Sequence, residues 1–208
     1  MKKSMCITYI VDGKLYVNVT NRCSNRCDFC IRNNGDGAYG SDSLWLEREP
    51  TVEEIKESIF SHNLADFPEL VFCGYGEPSY RLYDIREVAL AAKERCPELK
   101  IRINTNGHSD LIWSKNTAPD YEGVFDVVSI SLNTPNPKRY DEICHSRFGE
   151  KSHSALIEFA KNVKNYVQNT QFSVVKQTLT AEEIEECKEI SKRTGVYLRL
   201  RDYIPPEP

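Results

Sequence analysis

The stretch "NRCSNRCDFCIRN", residues 21–33, sets Cys23, Cys27 and Cys30 in the spacing C-x3-C-x2-C, three thiols within eight residues. A structural zinc site closes with four ligands, usually two C-x2-C or Cys/His pairs. No such fourth ligand is near: the next histidine is His62, and Cys6, Cys73, Cys96, Cys144 and Cys187 stand singly. A cubane [4Fe-4S] cluster, by contrast, can be held by three thiolates, which leaves one iron open to a small ligand. On the residues alone two other readings stay open, zinc with a distant fourth ligand and a trio of packed core thiols. The flanking Asn, Arg and Asp residues are polar for a core.

With 208 residues and 40% hydrophobic side chains the chain can bury one sizeable core, so residues 1–208 read as a single domain. A net charge of −4 gives no general field for nucleic acid, although a local basic patch stays open. The N-terminus has no apolar run of signal-peptide length, and no segment approaches 18 uninterrupted apolar residues. A cytoplasmic protein without a membrane partner is therefore expected, a setting where clustered cysteines serve metal or redox chemistry. The closing "PPEP" reads as a terminal stop.

Around the cysteines, strand and helix patterns alternate. "ITYIVDGKLYVNVT" (7–20) is a hairpin turning at Asp12-Gly13. Helices are expected over 51–62, 83–96, 154–167 and 180–195, with capping-box spacing at Thr51/Glu54 and Thr180/Glu183 and a stop at Gly195. Strands are expected at "ELVFCG", "KIRINTNG", "FDVVSISLN", "FSVV" and "VYLRLRDY". The alternation predicts an α/β fold of parallel βαβ units with about six strands, short of a closed eight-stranded barrel. Side chains alternate faces along a strand. Tyr16, Asn18 and Thr20, then Arg102, Asn104 and Asn106, then Ser129, Ser131 and Asn133, and finally Arg199 and Arg201 should thus share a polar, partly cationic interior. A barrel packed only for stability would fill that space with Val, Ile and Leu, so the polar lining implies a ligand. The competing reading is an antiparallel sheet with its polar face in water.

The C-x3-C-x2-C triplet is the signature of the radical SAM superfamily, and further residues resemble that family. Phe29 matches an aromatic that packs near the adenine, and "CGYGEP" (73–78) resembles its Gly-Gly-Glu-Pro motif, with Tyr75 in the first glycine position and Gly74 before it. Taken together, "LYVNVTNRCSNRCDFCIRN", "ELVFCGYGEPSYRL", "IRINTNGH", "DVVSISLNTP", "CHSRFGE" and "GVYLRLRDYI" resemble the TatD-associated radical SAM proteins.

The resemblance implies a partial (β/α)6 barrel with a short N-terminal hairpin, one [4Fe-4S] cluster on Cys23, Cys27 and Cys30, and S-adenosylmethionine (SAM). It further implies SAM contacts at Phe29, Gly74, Tyr75, Gly76, Glu77, Asn104, Asn106, Ser131, Asn133 and Arg199. The reaction implied is reductive cleavage of SAM to a 5′-deoxyadenosyl radical that abstracts a substrate hydrogen. An external flavodoxin- or ferredoxin-like electron donor and a functional link to a TatD-type hydrolase belong to the same expectation. The substrate is expected to be a small molecule or nucleotide. A partner protein, peptide or nucleic acid is the alternative, and a non-catalytic metal-binding module a third reading. Arg102, Arg199 and Arg201 are candidate clamps for a carboxylate or phosphate, one of which SAM itself carries. Cys144, His145 and Arg147, expected in a loop at the barrel mouth, are candidate catalytic residues, with a half-buried loop thiol as the plainer reading of Cys144. Cys73 and Cys187 are expected to be small core residues.

Overall fold

The computed structural model describes residues 2–202. Strands β1 (Thr8–Val11) and β2 (Lys14–Val17) form an antiparallel hairpin. Asp12 at φ 49° and Gly13 at φ 71° supply the left-handed pair that matches a two-residue turn to the twist of its strands. There follow α1 (Val52–Phe60), β3 (Glu69–Phe72), α2 (Leu82–Arg95), β4 (Lys100–Thr105), α3 (Ser109–Trp113), β5 (Val127–Ser131), α4 (Pro137–Cys144), α5 (Lys151–Val163), β6 (Asn169–Val175), α6 (Ala181–Thr194) and β7 (Tyr197–Arg201). The seven strands form one sheet in chain order, and every pairing after the hairpin is parallel. Six parallel strands with their helices make the expected partial barrel, and β1 adds an antiparallel edge. Parallel pairing removes the reading of a solvent-faced antiparallel sheet. The "PPEP" stop and Tyr203, expected to end the last strand, lie outside the described residues.

Local chemistry explains the elements. Both expected capping boxes are formed, Thr51 with Glu54 and Thr180 with Glu183, and Gly195 closes α6 at φ 66°. Outward strand residues such as Leu70, Phe72, Ile101 and Ile103 are fully buried beneath Ile55, Ile59, Ile85 and Val88 of the helices, and that burial drives the layers together. Helix α4 corrects the expected mouth loop. The Asn136 side chain accepts a hydrogen bond from the Arg139 N–H at 3.0 Å, and Pro137 sits in the first turn, where its missing N–H costs no hydrogen bond. Cys144 thus ends a helix and is fully buried.

Two arrangements hold the cysteine loop to the sheet. The first is the close approach of the turn after β3: a Cβ at Gly74 would overlap the Asn18 side chain, and one at Gly76 would strike the Thr20 and Arg22 carbonyls. That approach lets the Glu77 N–H reach the Arg22 carbonyl at 2.7 Å. The second is a buried polar network. Fully buried His108 places Nδ1 3.0 Å from Ser24 Oγ and Nε2 3.4 Å from the Tyr140 hydroxyl. Asn106 donates to Ser24 Oγ at 2.8 Å, and Asn25 donates to the Tyr140 hydroxyl at 3.0 Å.

Gly76→Ala should lower stability by about 1–3 kcal/mol, the usual cost of overpacking against groups that cannot move, seen as a lower urea midpoint with an unchanged slope. Burial depresses His108 to about 4 from an ordinary 6.5. The unfolded chain therefore takes up a proton below pH 6.5 that the folded chain refuses until about pH 4. Stability present above pH 6.5 is lost through that window, about 2 kcal/mol between pH 7 and pH 5. Urea unfolding at the two pH values should show the loss, and His108→Gln should flatten it.

Candidate active site

The polar faces of β2 and β4–β7 enclose a cavity of about 520 Å³. Cys23, Cys27 and Cys30 open onto it, together with Phe29, Gly74, Glu77, Asn104, Asn106, Ser131, Asn133 and Arg199. Tyr75 and Gly76 do not. The Tyr75 ring is buried against Trp45, 5.2 Å between centroids, and its hydroxyl donates to the Gly35 and Gly37 carbonyls at 3.0 and 2.8 Å. It thereby pins the loop that follows the cysteines. Gly76 is spent on the approach to Thr20 and Arg22. Tyr16, Arg102, Ser129 and Arg201 line the cavity as the alternation predicts, whereas Asn18 and Thr20 do not. Strand β2 ends at Val17, so the alternation stops there: the Asn18 amide donates to the Leu44 carbonyl at 2.8 Å and the Thr20 hydroxyl to Glu49 at 2.5 Å.

Cys144, His145 and Arg147 are not brought to the cavity. Their segment clasps the cysteine loop from outside. The carbonyls of Ile143 and Cys144 accept the N–H groups of Asp28 and Arg26 at 3.0 and 2.9 Å, and the Arg147 N–H donates to the Ser24 carbonyl at 2.8 Å. His145 reaches Asp28 at 2.7 Å, and the Arg147 guanidinium donates to the Tyr80 hydroxyl at 3.1 Å. The Cys144 thiol lies beside Cys27 and accepts from the Asn133 amide at 3.4 Å. Conversely Cys73, expected in the core, lies just beyond β3 and lines the cavity, whereas Cys187 is buried in the core on α6 as expected. Asn25 and Ser173 also line it without having been singled out from the sequence. Ser173 was legible as the polar residue of an alternating strand; Asn25, inside an irregular loop, carried no periodic signal.

Electrostatics divide this cavity. Burial, with Glu77 beside it, pushes the Cys23 thiol up to about 12; the neighbouring Cys144 and burial raise Cys27, and burial raises Cys30. All three are neutral thiols at pH 7, and binding of a cationic metal must displace their protons. Arg32 is the cation that acts on them in opposition. Among the described residues no three His, Cys, Asp or Glu side chains are gathered closely enough to hold a metal between them; the neutral thiols instead make protein contacts, as Cys27 does with Cys144.

The donor set nevertheless suits an iron–sulfur cluster and SAM: three thiols of one loop share a cavity with a buried carboxylate. That carboxylate, Glu77, accepts from the Thr105 hydroxyl at 2.7 Å and from the Asn106 and Ser79 N–H groups at 2.7 and 3.1 Å. Burial raises it against those bonds, and it has no ion-pair partner among the described residues. A buried carboxylate wants a cation, and an ammonium group of a ligand meets that need. Asn25 adds a buried Oδ1 that has no hydrogen-bond donor among the described residues.

Comparison with known proteins agrees with this chemistry. The profile of the radical SAM superfamily matches residues 17–189. Molybdenum cofactor biosynthesis protein 1 of Drosophila melanogaster is 28% identical over 192 residues, covering 92% of this chain and 32% of its own length. Streptococcus suis SuiB bound to its precursor peptide SuiA superposes with a TM-score of 0.65 at 17% identity, covering 91% of this chain and 39% of SuiB. SuiB bound to S-adenosylmethionine gives 0.61 at 18% identity, over 91% and 38%. The [FeFe]-hydrogenase maturase HydG gives 0.60 at 12% identity, over 91% and 42%. The chain spans about a third of the curated relative's length and about two fifths of the solved chains. The profile match covers most of the chain and takes in the three cysteines and Glu77; the chain belongs to the radical SAM superfamily, enzymes that work with an iron–sulfur cluster and S-adenosylmethionine.

Proposed function

We propose that this chain is a single-domain radical SAM enzyme of the TatD-associated kind, acting on a small molecule or nucleotide, with a [4Fe-4S] cluster on Cys23, Cys27 and Cys30. The observation that carries the proposal is the opening of three thiols and a Glu77 carboxylate, which has no cation among the described residues, onto one cavity. When bound, the cluster and SAM supply a 5′-deoxyadenosyl radical for hydrogen abstraction.

The chain's own residues bind, orient and shield. Glu77, held rigid by its three donors, receives the methionine ammonium with the Gly74 backbone beside it. Phe29 offers its ring to the adenine. Asn104, Asn106, Ser131 and Asn133 present polar groups to the nucleoside, and Arg199 takes the methionine carboxylate. Strands β5, β6 and β7 place Ser131, Ser173 and Arg199 side by side in register, so these contacts form one continuous row. Tyr75 serves indirectly by anchoring the loop around Gly35 and Gly37, which helps keep water from the radical.

A small substrate is favoured over a macromolecule because the large exposed apolar residues, Ile10, Leu90, Trp113, Tyr166 and Tyr197, do not line the cavity. Macromolecular substrates would be expected to meet apolar surface at the mouth. A cytoplasmic setting with a flavodoxin- or ferredoxin-like donor and a link to a TatD-type hydrolase belongs to the same proposal. No helix among the described residues is long and apolar enough to cross a membrane.

Anaerobic reconstitution should yield an EPR signal of reduced [4Fe-4S] that changes on adding SAM, with 5′-deoxyadenosine formed in the same sample. Zinc binding without iron uptake would overturn the proposal. Changing Cys23, Cys27 or Cys30 to Ala should abolish cluster incorporation, measured as iron and sulfide per chain. Glu77→Gln should keep the iron content and weaken SAM binding at least tenfold by equilibrium dialysis.

A further inference from the structure

The mechanism above leaves one part of the cavity unused. Arg102 on β4 and Arg201 on β7 both line it, and the Arg201 charge is opposed by burial and by the like charges of Arg199 and Arg102. Arg102 donates through Nε to Asn104 Oδ1 at 2.8 Å and stands 3.9 Å from Glu69, a carboxylate already paired with Lys14 at 3.0 Å. Arg201 is half-buried, and among the described residues its guanidinium has no hydrogen bond or ion pair. The acidic residues on the cavity wall have other roles or partners. Glu77 is assigned to the methionine ammonium, Asp202 is held by Lys176 and Gln177 at 3.1 and 3.2 Å, and Asp12, in the exposed hairpin turn, acts on Tyr39.

These two arginines act on other groups than the three cysteines. Arg32 is the cation felt by Cys23, Cys27 and Cys30, whereas Arg201 acts on Cys73 and Tyr39, and Arg102 on Cys73 and Tyr16. Tyr16 and Tyr39 line the same cavity and are raised by burial, Tyr16 to about 12, so both are neutral hydroxyl donors at pH 7. Two guanidiniums and two phenol hydroxyls therefore line one cavity, and among the described residues Arg102 has Glu69 at 3.9 Å, a carboxylate it shares with Lys14, while Arg201 has no anionic partner. A pair of like charges drawn out of water is unfavourable unless something of opposite charge joins them, and the planar guanidinium fork matches an oxyanion bidentately.

We infer that Arg102 and Arg201, with Tyr16 and Tyr39, receive an oxyanion group of the substrate, a phosphate or carboxylate, in this cavity. This rests on the radical SAM reading for its substrate and deepens it: the substrate is anionic, and its charged end is held by the two arginines while the reacting end lies toward the thiols. Arg199, in the row with Ser131 and Ser173, stays with SAM.

The test uses the reconstituted full chain with saturating SAM, titrated with inorganic phosphate and, separately, succinate, read by calorimetry and by the ligand-induced rise in Tm. Binding of either anion to the wild type, weakened at least tenfold in both Arg102→Gln and Arg201→Gln, is expected; which anion binds tells phosphate from carboxylate. Removing an uncompensated half-buried charge should also leave the anion-free Tm of Arg201→Gln equal to or above that of the wild type, an outcome a structural arginine would not give. The inference is overturned if neither anion binds, if both variants bind as the wild type does, if SAM displaces the anion competitively, or if Arg201→Gln lowers the anion-free Tm. A wild type that cleaves SAM but binds no anion removes this inference alone, whereas one that takes up no iron removes the radical SAM reading.

Discussion

Glu77 ties three chain segments together at one buried point. Its backbone N–H holds the Arg22 carbonyl of the cysteine loop, one carboxylate oxygen takes the Thr105 hydroxyl and the Ser79 N–H, and the other takes the Asn106 N–H beyond β4. Removing a charge from water is costly without such bonds; the Ser79 N–H is supplied locally, and the barrel brings Thr105 and Asn106. The node exists because Gly74 and Gly76 allow the turn after β3 to lie against the backbone after β2. The cysteine loop and the buried carboxylate are held against each other by this contact.

Around that node the molecule separates supporting residues from contacting ones. His108, Ser24, Tyr140 and Asn25 form a buried network under the cysteine loop, and the end of α4 clasps the same loop through backbone carbonyls. Buried networks of this kind favour one arrangement over its neighbours, which a loop of irregular backbone needs if three thiols are to face one space. Tyr75 does comparable work on the far side through the Gly35 and Gly37 carbonyls. The contacting residues instead carry spare capacity: among the described residues Glu77 has no cation, Arg201 no anion and Asn25 Oδ1 no donor. Unmet polar groups disfavour the empty fold and are expected where ligands bind.

Much of this was legible in the amino-acid sequence because it rests on local rules. The cysteine spacing, the Asp12-Gly13 turn, the two capping boxes and the alternation of "RINTN", "SISLN" and "LRLR" each report on a few neighbouring residues, and together they lead to a partial parallel barrel with a polar, cationic lumen. The departures occur where local rules end. Asn18 and Thr20 leave the lumen because β2 stops at Val17, a limit set by pairing with β3. Helix α4 carried an Asn136-Pro137 start signal, but its short apolar pattern was hidden in a polar segment, and Cys144 therefore seemed to belong to a loop.

The sequence by itself determined the chemistry available: three thiols, a Gly-x-Gly-Glu turn and arginines in strand register, since residue identity and spacing along a chain need no folding to be read. Only the tertiary structure decided which of these groups share a space. It sent Tyr75 and Gly76 to support, placed Cys144 beside Cys27, brought Cys73 to the cavity, and set Arg102 of β4 and Arg201 of β7 on the wall of one cavity. Such placements depend on contacts between residues far apart in the chain, and the curvature of a seven-stranded sheet, not any single segment, brings its distant strands face to face.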